Sequence, residues 1–139
     1  MTAEEMWQAS GLTGDYEAWS FGDDADGLAE LVKNGVKTAT CSALAFYKIE
    51  DEELPQVGEY SVILDSAENA VCIIRTTKVY VTTFDAVTKE HAFKEGEGDR
   101  SLEYWRTVHR RFFTEELQET GLPFDEKLEL VCEEFELVR

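Results

Sequence analysis

The chain predicts an α+β fold: a small, mainly antiparallel β-barrel with helices packed around it. Two observations carry this. The middle and the C-terminal end are rich in β-branched and aromatic residues at strand spacing, with one hairpin-like break. The segments between them carry apolar residues at helical spacing behind recognisable caps, so the helices are grouped between strands.

The elements follow in chain order. The stretch to about Leu12 reads as a short helix ended by Gly11 and Gly14. Asp23, Asp24 and Asp26 can cap a second helix running to about Asn34, with Leu28, Leu31 and Val32 at helical spacing and Gly35 as its stop. Lys37 to Cys41 is rich in threonine and small residues. The acidic Glu50–Glu53 run before Pro55 and Gly58 predicts a loop. Tyr60–Asp65 and Val71–Arg75 flank a polar break at Asn69, and the second run continues through Val79, Tyr80 and Val81. Thr88 caps a short helix to Glu95. Ser101 caps the longest one, to about Thr120, closed by Gly121 and striped by Leu102, Trp105, Val108 and Phe112. A final strand spans 127–138, its alternation shifting at Phe135 as at a bulge.

Composition bounds the function. At 139 residues the chain fits one domain able to bury a core, and 43% hydrophobic residues argue against disorder. No apolar run approaches the roughly 20 residues a membrane span requires, and the acidic start does not resemble a signal peptide. Cys41, Cys72 and Cys132 are widely spaced, without a CxxC pair, so neither a zinc ribbon nor a disulfide framework is expected. A cytoplasmic protein with reduced thiols is the plain expectation. The net charge of −17 opposes binding of a polyanion, which needs basic groups to displace counterions. A nucleoside, carrying no phosphate, meets no such barrier.

Three constellations can carry chemistry. Gly35-Val36-Lys37-Thr38-Ala39-Thr40 sets a lysine three residues before a threonine hydroxyl. In a regular strand the two would point to opposite faces, so cooperation requires a turn or a helix there. With a depressed pKa, Lys37 could activate Thr40 for attack on a carbonyl; otherwise Lys37 is a solvated lysine and the threonines suit a strand. Glu95, Glu97 and Asp99 crowd three carboxylates around two glycines. They could hold a proton for acid catalysis or gather a hard cation, or they form a solvated acidic loop in which Asp99 serves the following helix. Trp105, Arg106, His109 and Arg110 form the third. Here an aromatic and a basic group could stack and contact a base, with Arg106 and Arg110 neutralising the carboxylates, or His109 lies on the packed face of its helix. His91 has no visible metal partner.

These residues, in this order, resemble the ASCH family, whose fold is similar to the PUA domain. The resemblance rests on Gly35–Thr40 as the G-x-K-x-x-T signature, on Phe84-Asp85-Ala86-Val87, Glu90-His91-Ala92 and Glu95-Gly96-Glu97-Gly98-Asp99, and on Ser101-Leu102, Trp105, His109 and Phe112-Phe113. It implies a PUA-like barrel over residues 21–139, with 1–20 as a helical extension. It also implies a cleft for a nucleoside, nucleotide or RNA. One branch removes the acyl group of N(4)-acetylcytidine with a lysine, a threonine three residues on and a glutamate, matched here by Lys37, Thr40 and Glu95, the last closing T-x-x-H-A-x-x-E. Gly35, Thr38, Glu97, Asp99, Trp105, Arg106 and His109 are then expected to contact substrate, with no cofactor and no metal. A non-catalytic RNA- or nucleotide-binding module and a metal-dependent ribonuclease are the alternatives. The chain departs from the amidohydrolase branch in its N-terminal segment, its Cys41-to-Gly58 insertion, and its EGEGD and Trp105–Phe113 elements.

Overall fold

A computed structural model describes residues 1–139. Five strands form one sheet, β1 (Glu17–Trp19), β2 (Ala39–Ala43), β3 (Tyr60–Leu64), β4 (Ala70–Thr83) and β5 (Glu129–Leu137), in the spatial order β1-β3-β4-β5-β2. The sheet curls into a half-barrel with β1 and β2 as its edges. Every pair is antiparallel except β1 with β3.

β3 and β4 form the expected hairpin. Its turn is fixed by Asp65, whose Oδ1 accepts from the amides of Ala67 and Asn69. β4 runs unbroken for 14 residues. The register shift expected at Phe135 lies on the opposite strand: Thr76 pairs with Phe135 and Lys78 with Glu134, leaving Thr77 as the extra residue.

The helices are α1 (Ala3–Ser10), α2 (Ala25–Lys33), α3 (Leu44–Ile49), α4 (Lys89–Glu95) and α5 (Leu102–Gln118). Thr2 and Glu5 form a capping box on α1; Asp24, Thr88 and Ser101 cap α2, α4 and α5 through their side-chain oxygens. Strand alternation then sorts the core. Val62 and Ile73 pack on Trp7 of α1, while Ile63, Cys72 and Ile74 pack on Ala29 and Val32 of α2, on the other face of the same hairpin. At the far end of β4 and β5, Phe84, Leu130 and Cys132 meet Trp105 and Phe113 of α5. α4 and α5 thereby sit beside β2, and that corner holds the candidate site.

Two elements were not expected. β1 lies inside the segment read as an extension and pairs Glu17, Ala18 and Trp19 with Ser61, Val62 and Ile63. α3 occupies part of the 41–58 insertion.

Candidate active site

The site is assembled by two loops that hold one another. After α2, Gly35 turns the chain at φ 77°, and the carbonyl of Leu31 accepts from both Val36 and Lys37 amides. The Thr38 amide then donates to the carbonyl of Lys94 at 2.7 Å, and its own carbonyl accepts from the Phe135 amide on β5. On the other side, Gly96 ends α4 at φ 75°, pressed so closely on this loop that a Cβ there would lie 2.6 Å from the Val36 carbonyl oxygen. Arg100 completes the clasp by donating to Val36 O at 3.2 Å. The two glycine-bearing motifs are thus one structural unit.

This clasp drives Lys37 and Glu95 inward, where each residue is no more than 2% exposed. Lys37 Nζ lies 3.4 Å from Glu95 Oε1, 3.4 Å from the Glu95 carbonyl and 3.2 Å from Glu97 Oε2. Its three protons therefore meet three oxygens, with the Phe21 ring 5.3 Å beneath. Glu95 is the hub. Its Oε2 accepts from His91 Nε2 at 2.6 Å and from the Trp105 indole at 2.7 Å; its Oε1 faces Lys37 and, at 3.4 Å, His109 Nε2.

The hydrogen bonds settle the ring protons. Glu95 Oε2 can only accept, so His91 Nε2 carries the proton between them, and the Tyr80 hydroxyl lies 3.1 Å from His91 Nδ1. His109 Nδ1 faces the Trp105 carbonyl at 2.9 Å, and a carbonyl only accepts, so Nδ1 carries a proton. A neutral His109 would then turn a lone pair on Glu95. Burial works against charging His109, but the hydrogen bond and charge of Glu95 outweigh it and raise its pKa above 6.5.

The two carboxylates separate in the same way. Burial would raise Glu95, yet Lys37, His109 and His91 hold it well below 4.5. For Glu97 burial wins over the pull of Lys37, reinforced by the charge of Glu95, and its pKa is raised. Its side chain is 16% exposed, slightly more than the 11% of His109, while Lys37, His91 and Glu95 are each at 1%. One carboxylate stays ionised as an anchor while the other is poised to exchange a proton.

Lys37, Glu95, Glu97, His109 and Thr40 line one recess of about 60 Å³. It opens past Phe21, Gly22, Thr40, Cys41 and Phe112 into a cleft of about 600 Å³ between β1, β2 and the 52–59 loop. Thr40 stands at the junction, and no hydrogen bond joins it to Lys37. Six glutamates line the cleft, and neither lysine nor arginine does.

Several expected contacts lie elsewhere. Trp105 is 2% exposed, stacked on His109 and tilted against Phe84, so it offers no face to a ligand; its contribution is the indole N–H. Asp99 is exposed and accepts from the Ser101 amide, serving the start of α5 rather than the carboxylate cluster. Arg106 is exposed without a partner, and Arg110 pairs with Glu126 at 2.6 Å instead of neutralising Glu95 or Glu97. Gly35 is an exposed turn, and Thr38 reaches back to the Lys94 carbonyl. Conversely, His91 and Tyr80 belong to the cluster, and the i,i+4 spacing of His91 and Glu95 on one helix face was the available signal.

Two groups of side chains stand close enough to share a metal ion: Cys41, His91 and Glu95, and Glu95, Glu97 and His109. Both depend on Glu95, which already faces the Lys37 ammonium where a cation would bind. The donor set fits a proton network better than a metal.

A curled, mainly antiparallel sheet with a polar recess between its edge strand and two helices defines a PUA-like α+β domain. Residues 17–139 match the ASCH domain model, and the chain belongs to the ASCH domain family. It is similar to the ASCH domain of Lactobacillus crispatus JV V101, with 31% identity and a TM-score of 0.86 over 95% of this chain and 90% of that one. It is similar also to a protein of Enterococcus faecalis V583 from the family designated DUF984, with 40% identity and a TM-score of 0.86 over 97% and 84%. A hypothetical protein with 18% identity and a TM-score of 0.59, matched over 89% and 100%, shares the fold alone. No curated protein matches the chain. No helix is long and apolar enough to cross a membrane.

Proposed function

We propose that the protein hydrolyses the amide of a small acylated molecule, such as an N-acylated nucleoside, held in the cleft with its amide at the mouth of the recess. The observation that carries this reading is the shared lining: Thr40, Lys37, Glu95 and Glu97, drawn from two distant motifs, border one cavity that opens to solvent through a cleft. The resemblance to the acetylcytidine-cleaving branch at Lys37, Thr40 and Glu95 adds to it. Thr40 Oγ1 attacks the carbonyl carbon and its proton passes to Glu97, the carboxylate with the raised pKa. The C–N bond breaks as Glu97 returns that proton to the departing nitrogen, leaving an ester on Thr40. Water then attacks the ester, again giving its proton to Glu97, which restores the Thr40 hydroxyl as the acid leaves.

Lys37 contributes charge rather than basicity, because its protons are engaged by three oxygens. It holds Glu97 and offsets negative charge developing on the carbonyl oxygen. Glu95, fixed by His91 and Trp105, anchors Lys37. The acidic cleft and the net charge of −17 argue against a polynucleotide.

The test is incubation of the protein with N(4)-acetylcytidine, followed by ultraviolet absorbance. Turnover that falls by at least about 100-fold in Thr40→Ala and in Glu97→Gln supports the reading. Equal turnover by wild type and Thr40→Ala removes the nucleophile.

A further inference from the structure

We infer that the cleft selects a substrate bearing an organic cation, an ammonium group a few bonds from the scissile amide, with Glu133 as its anchor. This rests on the hydrolase reading for the amide and on separate observations for the charge. Glu133 on β5 is the register partner of Thr40 on β2. Directly opposed residues of an antiparallel pair project to the same face, with Cβ atoms about 5 Å apart. Both side chains line the cleft. Whatever presents an amide to Thr40 therefore passes beside this carboxylate.

Glu133 has no partner of its own. The next residue, Glu134, points the other way and pairs with Lys94 and Lys78, whereas no cation faces Glu133, Glu17 or Glu59. Burial, then the charges of Glu59 and Glu17, push Glu133 up to about 7. Like charges gathered in one cleft are relieved either by a proton on one of them or by a cation that enters, and above the Glu133 pKa only the cation remains. The walls suit the same guest. Trp19, Phe21, Tyr47 and Phe112 line the cleft, and aromatic faces attract ammonium groups through their quadrupoles. An anionic or phosphorylated ligand would meet six carboxylates there.

The probes are N-acetyl-1,3-diaminopropane and its uncharged analogue N-butylacetamide, titrated into 15N-labelled protein near pH 8 at low salt. The cation is expected to bind at least about tenfold more tightly, shifting the amides of Thr40, Glu133 and Tyr47. Glu133→Gln or, if that variant fails to fold, Glu59→Gln should shrink the difference by at least about threefold, and Thr40→Ala should leave it intact. Equal binding of the two probes, or shifts scattered over the acidic surface, would overturn the inference. Binding is read without turnover. Cleavage of acetylcytidine with no cation preference sinks this inference alone; a cation preference with no amide cleaved sinks the hydrolase reading alone.

Discussion

Lys37 and Glu95, 58 positions apart in the chain, form an ion pair at 3.4 Å with both side chains 1% exposed. Two charges so deeply buried are stable only because each has further partners: Glu97 and a carbonyl for the lysine, His91, Trp105 and His109 for the glutamate. Charge, position and protonation in the site are fixed together by this pair.

Lys37→Met removes one half and leaves an uncompensated carboxylate, at an expected cost of about 3 kcal/mol in urea unfolding at neutral pH. The pH dependence has a definite sign. Glu95 has a depressed folded pKa, so its stabilisation is present above 4.5 and is lost as pH falls through the lower folded value. Without Lys37 that depression is reduced. The gap between wild type and Lys37→Met should narrow on acidification below pH 4.5; a gap that is constant with pH contradicts the pairing.

Trp105→Phe retains the aromatic packing against Phe84 and deletes the indole N–H that reaches Glu95 at 2.7 Å. A buried hydrogen bond to a charged group predicts a loss of about 2 kcal/mol. Had Trp105 been a stacking platform for a ligand, the same change would lower affinity and leave unfolding unaltered.

The two glycines that turn the motif loops should respond differently. Both sit at positive φ, but Gly35 has open space where a Cβ would go, while Gly96 faces the Val36 backbone. Gly35→Ala should cost about 1 kcal/mol, the strain of a left-handed alanine. Gly96→Ala adds a backbone clash and should cost at least about twice that. Equal melting temperatures would show that the clasp between the loops is slack.

Glu133 gives the opposite pH sign to Glu95. Its folded pKa, about 7, is raised above the ordinary 4.5, so its favourable contribution is full below 4.5 and is lost as pH rises to about 7. Glu133→Gln should therefore raise the melting temperature near pH 8 by roughly 5 °C and change it little near pH 4.

The parts of the fold governed by local chemistry were legible in the sequence. Thr88 and Ser101 announce α4 and α5, and Asn69 sits in the β3–β4 turn, because caps and turns depend on neighbours within four residues. β1 was hidden, since three residues paired in parallel with a strand more than 40 positions away leave no local period. α3 was hidden too: six residues with no side-chain cap and no buried member give no stripe. In the site, the ASCH resemblance singled out Lys37, Thr40, Glu95, Glu97 and His109, and these five line one recess. Of the two readings open for Asp99, service to the following helix is the one seen, because a carboxylate two residues before a helix cap meets the local amide first. Glu133, Glu17 and Glu59 went unseen because only the order β1-β3-β4-β5-β2 brings β5, β1 and the loop before β3 around one cleft.

The most direct test of the central claim is the intact mass of protein quenched in acid during turnover of N(4)-acetylcytidine. Wild type should carry one acetyl group that proteolysis maps to Thr40, and Thr40→Ala should carry none. Hydrolysis with no acetyl-protein at any time, or an acetyl group on another residue, would contradict Thr40 as the nucleophile at the mouth of the Lys37–Glu95 recess.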